Sequence, residues 1–172
     1  CNASKLESGF YVIHAKSGLG KTTGLKHYAR TNRNAFYVLV DYLQKSKEFF
    51  ISIAEALGSD TTGSARVILQ GIVDKLNELD SPVLIIDDAG KLNDNNFRNI
   101  QLIHDSTEGN AGIVIAGTNY LKTYVSKMVQ KGKMGFDELS RRVNHWQALS
   151  EPSFIEIKSL CTANGITDSD TV

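Results

Sequence analysis

Cysteine is nearly missing from this chain. Cys1 and Cys161 stand at opposite ends of 172 residues, so neither a disulfide framework nor a cysteine metal site can be drawn from them. A reducing, cytoplasmic setting is the simpler expectation. Net charge is missing too: nineteen basic residues offset nineteen acidic ones, so any contact with nucleic acid must come from a local patch. No apolar run approaches bilayer-spanning length and no signal-peptide pattern opens the chain, which excludes a membrane partner from the reading. His14, His27, His104 and His145 have no ligand spacing. Internal repeats and low-complexity tracts are absent. So is an initiating methionine, and the chain stops soon after a last helical segment, the pattern expected of a fragment.

What is present fits one domain with a full core, since 41% of residues are apolar and 22% charged. The organising stretch is Ala15-Lys16-Ser17-Gly18-Leu19-Gly20-Lys21-Thr22-Thr23, between the apolar run Phe10 to Ile13 and a helix-compatible segment from Thr22 to about Arg30. It reads as a phosphate cradle. Gly18 and Gly20 allow a tight turn that points backbone N–H groups at an anion, against the positive end of the following helix. Lys21 would reach the β- and γ-phosphates of ATP, and the Thr22 hydroxyl would ligate Mg²⁺. Ala15 stands where the first glycine is usual, which is tolerable if its φ is negative.

Further apolar runs alternate with helical patterns. Gly9 to Ile13 and Ala35 to Val40 read as strands buried on both faces, Val83 to Ile86 as a β-branched strand, and Ile113 to Ala116 as another. Trp146 to Leu149 reads as a brief last strand. Helices are expected from Ser46 to Leu57, from Ser64 to Leu79, around Phe97 to His104, over Tyr120 to Gln130 and over Phe136 to Arg142. A last one follows Pro152, with Ser153 and Glu156 as a capping box. Asp105 to Ala111 reads as a loop. This alternation predicts an α/β fold with a central, mainly parallel five-stranded sheet flanked by helices. Its divisions would be a linker or tail over residues 1–8, a core over 9–150 and the beginning of a helical lid over 151–172.

Asp87 ends the third strand, where an acid would hold Mg²⁺ opposite Thr22. Asp88 follows, where a glutamate commonly orients and deprotonates the attacking water. Its stem is one methylene shorter, and a misplacement of about 1 Å can cost on the order of a hundredfold in rate, so slow hydrolysis is expected. Thr118 and Asn119 close the fourth strand, and one of them, Thr118 by preference, would reach the γ-phosphate or its water. Arg141 and Arg142 could supply a guanidinium to phosphate charge, more usefully in a neighbouring subunit's site, or could simply pair with Asp137 and Glu138. Lys45 and Lys47, just past the second strand, suit phosphate contact rather than base readout. Lys122, Lys127, Lys131 and Lys133 form a second acid-free set with a weaker claim.

Taken together, Ala15 to Thr22, Leu84-Ile85-Ile86-Asp87-Asp88, Ile113 to Thr118 and Leu139-Ser140-Arg141-Arg142-Val143 resemble Walker A, Walker B, sensor 1 and arginine finger of an AAA+ ATPase. The Gly-Thr-x-x-Leu form of Gly117 to Leu121 and the Arg-Val ending resemble the transposition ATPases of MuB, TniB and TnsC type. That resemblance implies a homo-oligomer, ring or filament, assembled with ATP on double-stranded DNA. It also implies target-site choice, stimulation of a partner transposase, and DNA-backbone contact by Lys45 and Lys47. Two other uses of the same parts are ATP as a structural ligand without useful turnover, and a switch ATPase for another client such as a helicase loader.

Overall fold

The computed structural model describes residues 1–107 and 109–166. Five strands form one sheet in the order β2-β3-β4-β1-β5: β1 (Phe10–His14), β2 (Ala35–Leu39), β3 (Val83–Asp87), β4 (Gly112–Gly117) and β5 (Val143–Ala148). Every pairing is parallel. β3 and β4 are buried along their whole length, as continuous Val/Ile/Leu runs require when helices cover both faces. β2 departs from the expected two-faced burial because it is an edge strand; a short apolar run does not reveal which of its sides has a neighbour.

The larger core lies on one face. There α3 (Ser46–Leu57), α4 (Ala65–Glu78), α5 (Asp94–Ser106), α6 (Asn119–Gln130) and α7 (Phe136–Arg142) supply residues such as Phe49, Ile53, Ile72, Ile100, Leu121 and Phe136. On the other face, α2 (Lys21–Thr31) sets Leu25 against Val83, Ile85, Val114 and Ala116. The Ser64 hydroxyl accepts from Val67 N–H, starting α4 as its sequence indicates. α3 begins at Ser46 with Lys45 at the cap position, and α5 begins at Asp94 because Asn93 is the cap. α5 also runs on to Ser106, into the expected loop; residue 108 of that loop lies outside the described residues.

Residues 1–8, read from sequence as a linker or tail, are instead a short helix, α1 (Asn2–Glu7), laid against β4. Buried Ser4 donates its hydroxyl to the carbonyls of Gly9 (2.7 Å) and Ile113 (3.2 Å). A Cβ on Gly112 would lie 2.2 Å from the Ser4 carbonyl oxygen, so this close approach requires glycine. A six-residue helix has little stability of its own and shows no apolar period, which is why the sequence does not announce it. At the other end, Ser153 and Glu156 form the anticipated capping box of α8 (Phe154–Ala163); the rest of the expected lid, residues 167–172, lies outside the described residues. No helix among the described residues is long and apolar enough to cross a membrane.

Candidate nucleotide site

The loop from Ala15 to Gly20 joins β1 to α2 at the carboxyl edge of the sheet, where ligands meet an open α/β sheet. Gly18 (φ 83°) and Gly20 (φ 73°) both take left-handed backbone, and the space where each Cβ would stand is open. Ala15 is buried and is not among the residues with positive φ, so a methyl there carries no backbone strain. Lys21 has no acidic partner within the site. Its ammonium is folded onto the loop, donating to the carbonyls of Lys16 (2.8 Å) and Ala15 (3.2 Å). A glycine turn at a helix N-terminus, with an ammonium that only neutral carbonyls hold, fits a polyphosphate. Lys16 itself pairs with Glu151 at 2.5 Å, tying the loop to the segment before α8.

Asp87, at the carboxyl end of β3, has no exposed surface. Its Oδ2 accepts from the Tyr37 hydroxyl (2.9 Å) and its Oδ1 from the Asp88 N–H (2.8 Å). Burial first, then that hydrogen bond, push the Tyr37 hydroxyl far above the ordinary phenol range, so it stays a donor to the carboxylate. Tyr37 lines a cavity of about 420 Å³ with Thr22, Thr23 and Lys26. The acid and the threonine expected to share Mg²⁺ therefore have a common neighbour. An oxygen-only donor pair of this kind suits a hard divalent cation that keeps several waters.

Asp88 and Thr118 line a second cavity, about 480 Å³, with Tyr42, Lys91 and Tyr120. Asp88 is left-handed (φ 56°) and opens a 3₁₀ turn over Ala89–Lys91. Its Oδ2 lies 3.0 Å from the Lys91 ammonium, and that contact holds the lysine above its usual range. Asn119 faces elsewhere: its Oδ1 is 3.0 Å from His14 Nδ1, and buried His14 Nε2 has no partner. Of the two polar residues expected after β4, Thr118 is the one beside Asp88.

A third cavity, about 520 Å³, abuts Lys21 and is lined by Leu19, Gly24, Tyr28 and Leu149 together with Cys1, Asn2 and Ala3 from the start of α1. It is the apolar space beside the cradle, and α1 walls it. The sequence reading missed α1, Tyr37, Lys91 and Tyr42. For Tyr37 the sequence offers no signal, because its pairing with Asp87 depends on β2 lying next to β3.

The arginines part company. Arg142 is held by its own chain through a two-pronged contact with Asp105, Nε to Oδ1 at 2.5 Å and Nη2 to Oδ2 at 2.7 Å, and also donates to the Glu138 carbonyl. Arg141, 77% exposed at its side chain, pairs one turn back with Asp137 at 2.6 Å. Lys45 and Lys47 are both exposed at the start of α3. In the second basic set Lys133 is paired with Asp94 at 3.0 Å. Both cysteines are free, and no metal cluster of His, Cys, Asp and Glu occurs among the described residues.

A glycine-rich loop after the first strand, a buried acid ending another, and a strand inserted between them define a P-loop nucleotide-binding protein. Within that class the chain belongs to the AAA domain family, whose model matches residues 5–125. Among solved structures it is similar to the Aeropyrum pernix ORC1 protein in complex with DNA (TM-score 0.66, 14% identity, 91% of this chain and 43% of that one). It is similar also to a DNA replication initiation factor (0.58, 13%, 99% and 50%) and to a mutant of Thermotoga maritima RuvB (0.50, 18%, 95% and 48%). The chain thus spans about half the length of these structures or less, and at such identity the likeness shows the fold alone. No curated protein matches.

Proposed function

We propose that this chain binds ATP with Mg²⁺, hydrolyses it slowly, and assembles with copies of itself on double-stranded DNA, where its nucleotide state regulates a partner transposase in target selection. The observation that carries the nucleotide part is the buried Asp87 carboxylate, hydrogen-bonded by Tyr37, which lines one cavity with Thr22 of the helix that follows the glycine loop. Lys21 binds the β- and γ-phosphates, Ser17 to Thr23 offer backbone N–H groups, and Thr22 and Asp87 hold the metal. Mg²⁺, when bound, offsets phosphate charge. Asp88 orients the attacking water and takes its proton while the water oxygen bonds to the γ-phosphorus and the bond to the ADP oxygen breaks. Thr118 steadies that water from across the cavity.

The DNA and transposase parts rest on the Gly117 to Leu121 and Arg-Val sequence forms and on exposed Lys45 and Lys47. The ORC1 structure is of a protein in complex with DNA, on a similar fold. A second reading, ATP as a ligand that joins subunits without turnover, is favoured by the short Asp88 stem and its pairing with Lys91. Sizing the protein by light scattering, with and without ATP, Mg²⁺ and duplex DNA, tests the proposal. Large assemblies should appear only with all three and vanish in Lys21→Ala. Assembly that survives in that variant at saturating ATP would contradict it.

A further inference from the structure

His14 is a buried titratable group that the proposed chemistry does not use. It is the last residue of β1, set opposite Gly117 of β4 and only 7% exposed. Its Nδ1 is 3.0 Å from Asn119 Oδ1, while its Nε2 is buried with no partner. The ring lies on the same side of the sheet as Phe10 and Val12, and Trp146 of β5 stands beside it, ring centroids 6.4 Å apart. A buried polar atom without a partner is a cost to the fold, and an apolar residue of similar size would avoid it. Packing alone therefore does not account for histidine here.

The contact falls between two parts of the candidate site. His14 leads into the phosphate loop at Ala15, and Asn119 follows Thr118 at the start of α6. Thr118 is exposed and its hydroxyl makes no capping bond to α6, so its backbone decides where that hydroxyl stands. That backbone is gripped on both sides by the end of β1: Ala15 N–H donates to the Gly117 carbonyl at 3.3 Å, and His14 meets the Asn119 side chain. We propose that His14 is a positioning residue, which through Asn119 holds Thr118 at a fixed place relative to the phosphate loop. The inference rests on the reading of Thr118 as the residue that steadies the attacking water. Position matters steeply there, since a displacement of about 1 Å can cost on the order of a hundredfold in rate. Nucleotide affinity does not depend on the contact, because Lys21 and the loop N–H groups supply it.

The test measures kcat and KM for ATP, with Mg²⁺ and duplex DNA present, and thermal melting in wild type, His14→Leu, His14→Asn, Asn119→Ala, Thr118→Ala and the double variant His14→Leu with Asn119→Ala. His14→Leu and Asn119→Ala should each lower kcat by about tenfold with KM within about twofold of wild type, the mark of an interaction that counts only in the transition state. The double variant should be no slower than the slower single one, as the two ends of one contact require. His14→Asn, whose amide can take the place of Nδ1, should keep at least about half of the wild-type rate. His14→Leu should melt no lower than wild type, since it removes the unpaired nitrogen and leaves exposed Asn119 to water. A wild-type kcat in His14→Leu, losses that multiply in the double variant, a His14→Asn rate no better than that of His14→Leu, or a rise in KM together with a lower melting temperature would overturn the proposal. If Thr118→Ala is slow and His14→Leu is not, only the role of His14 falls. If Thr118→Ala turns over like wild type, or wild type does not turn over at all, the reading of the site falls and takes this one with it.

Discussion

At the scale of single residues, the site is decided by where one carboxylate ends. In the proposed hydrolysis, Asp88 would carry the charge that the step needs but place it one methylene short, on left-handed backbone in a cavity it shares with Thr118. Asp88→Glu restores the longer reach and should raise ATP turnover by about ten- to a hundredfold, in line with the sensitivity of such steps to displacements of about 1 Å. Steady-state phosphate release measures it, and a rate that stays at background with nucleotide affinity intact would support ATP as a purely structural ligand. Sequence makes Asp88 and Lys21 legible because their chemistry depends on residue type and spacing. It cannot make the Tyr37 to Asp87 hydrogen bond or the His14 to Asn119 contact legible, since each joins residues about 50 or more positions apart through strand order. The Arg142 to Asp105 contact is of the same kind: the sequence offered nearby Asp137 and Glu138 as partners, and α5 brought a distant one.

At the scale of elements, strands and long helices were visible where periodicity and caps agree. Ser64 for α4, the Ser153 and Glu156 box for α8 and the buried runs of β3 and β4 are examples. What escaped is held by tertiary contact alone, as with α1 on Gly112 and the edge position of β2. One tertiary tie can be examined by pH. Asp94 at the start of α5 accepts from the Tyr124 hydroxyl of α6 at 2.6 Å and pairs with Lys133 past the end of α6. The Tyr124 hydrogen bond, then Lys133, holds the Asp94 carboxyl below its usual range, while burial, then Asp94, pushes the tyrosine up to about 12. A carboxyl depressed in the folded state stabilises the fold above the ordinary aspartate range, and that contribution is lost as pH falls through its depressed value. Asp94→Asn should therefore cost about 1–2 kcal/mol near neutral pH, with the two proteins converging in stability under strong acid. Denaturant melts across the acid range check this, and a difference that persists once Asp94 is protonated would mean that shape rather than charge sets the cost.

At the scale of the whole molecule, the five parallel strands put the phosphate loop, Asp87, Asp88 and Thr118 at one edge, while the arginines stand at the end of α7, just before β5. A guanidinium that serves a neighbour's γ-phosphate must leave its own chain without a large cost. Arg142 is engaged by Asp105 in two places and by the Glu138 carbonyl, so releasing it gives up several charge-assisted bonds. Arg141 gives up one exposed pair within its own helix, worth less than about 1 kcal/mol. Arg141 is therefore the better candidate to act between subunits, and mixing isolates that geometry. Lys21→Ala keeps Arg141 but has no working cradle; Arg141→Ala keeps the cradle but lacks the guanidinium. Each alone should be nearly inactive, and a mixture should recover turnover with a maximum at intermediate ratios, because an intact cradle then meets an intact arginine across some interfaces. Recovery cannot arise if Arg141 serves its own subunit, since every chain in the mixture is then defective in the same site. Because Lys21→Ala should not assemble alone, light scattering of the mixture first checks that it joins assemblies with Arg141→Ala; in mixtures that do co-assemble, a flat curve beside a wild-type control that turns over would exclude Arg141 from a neighbour's site.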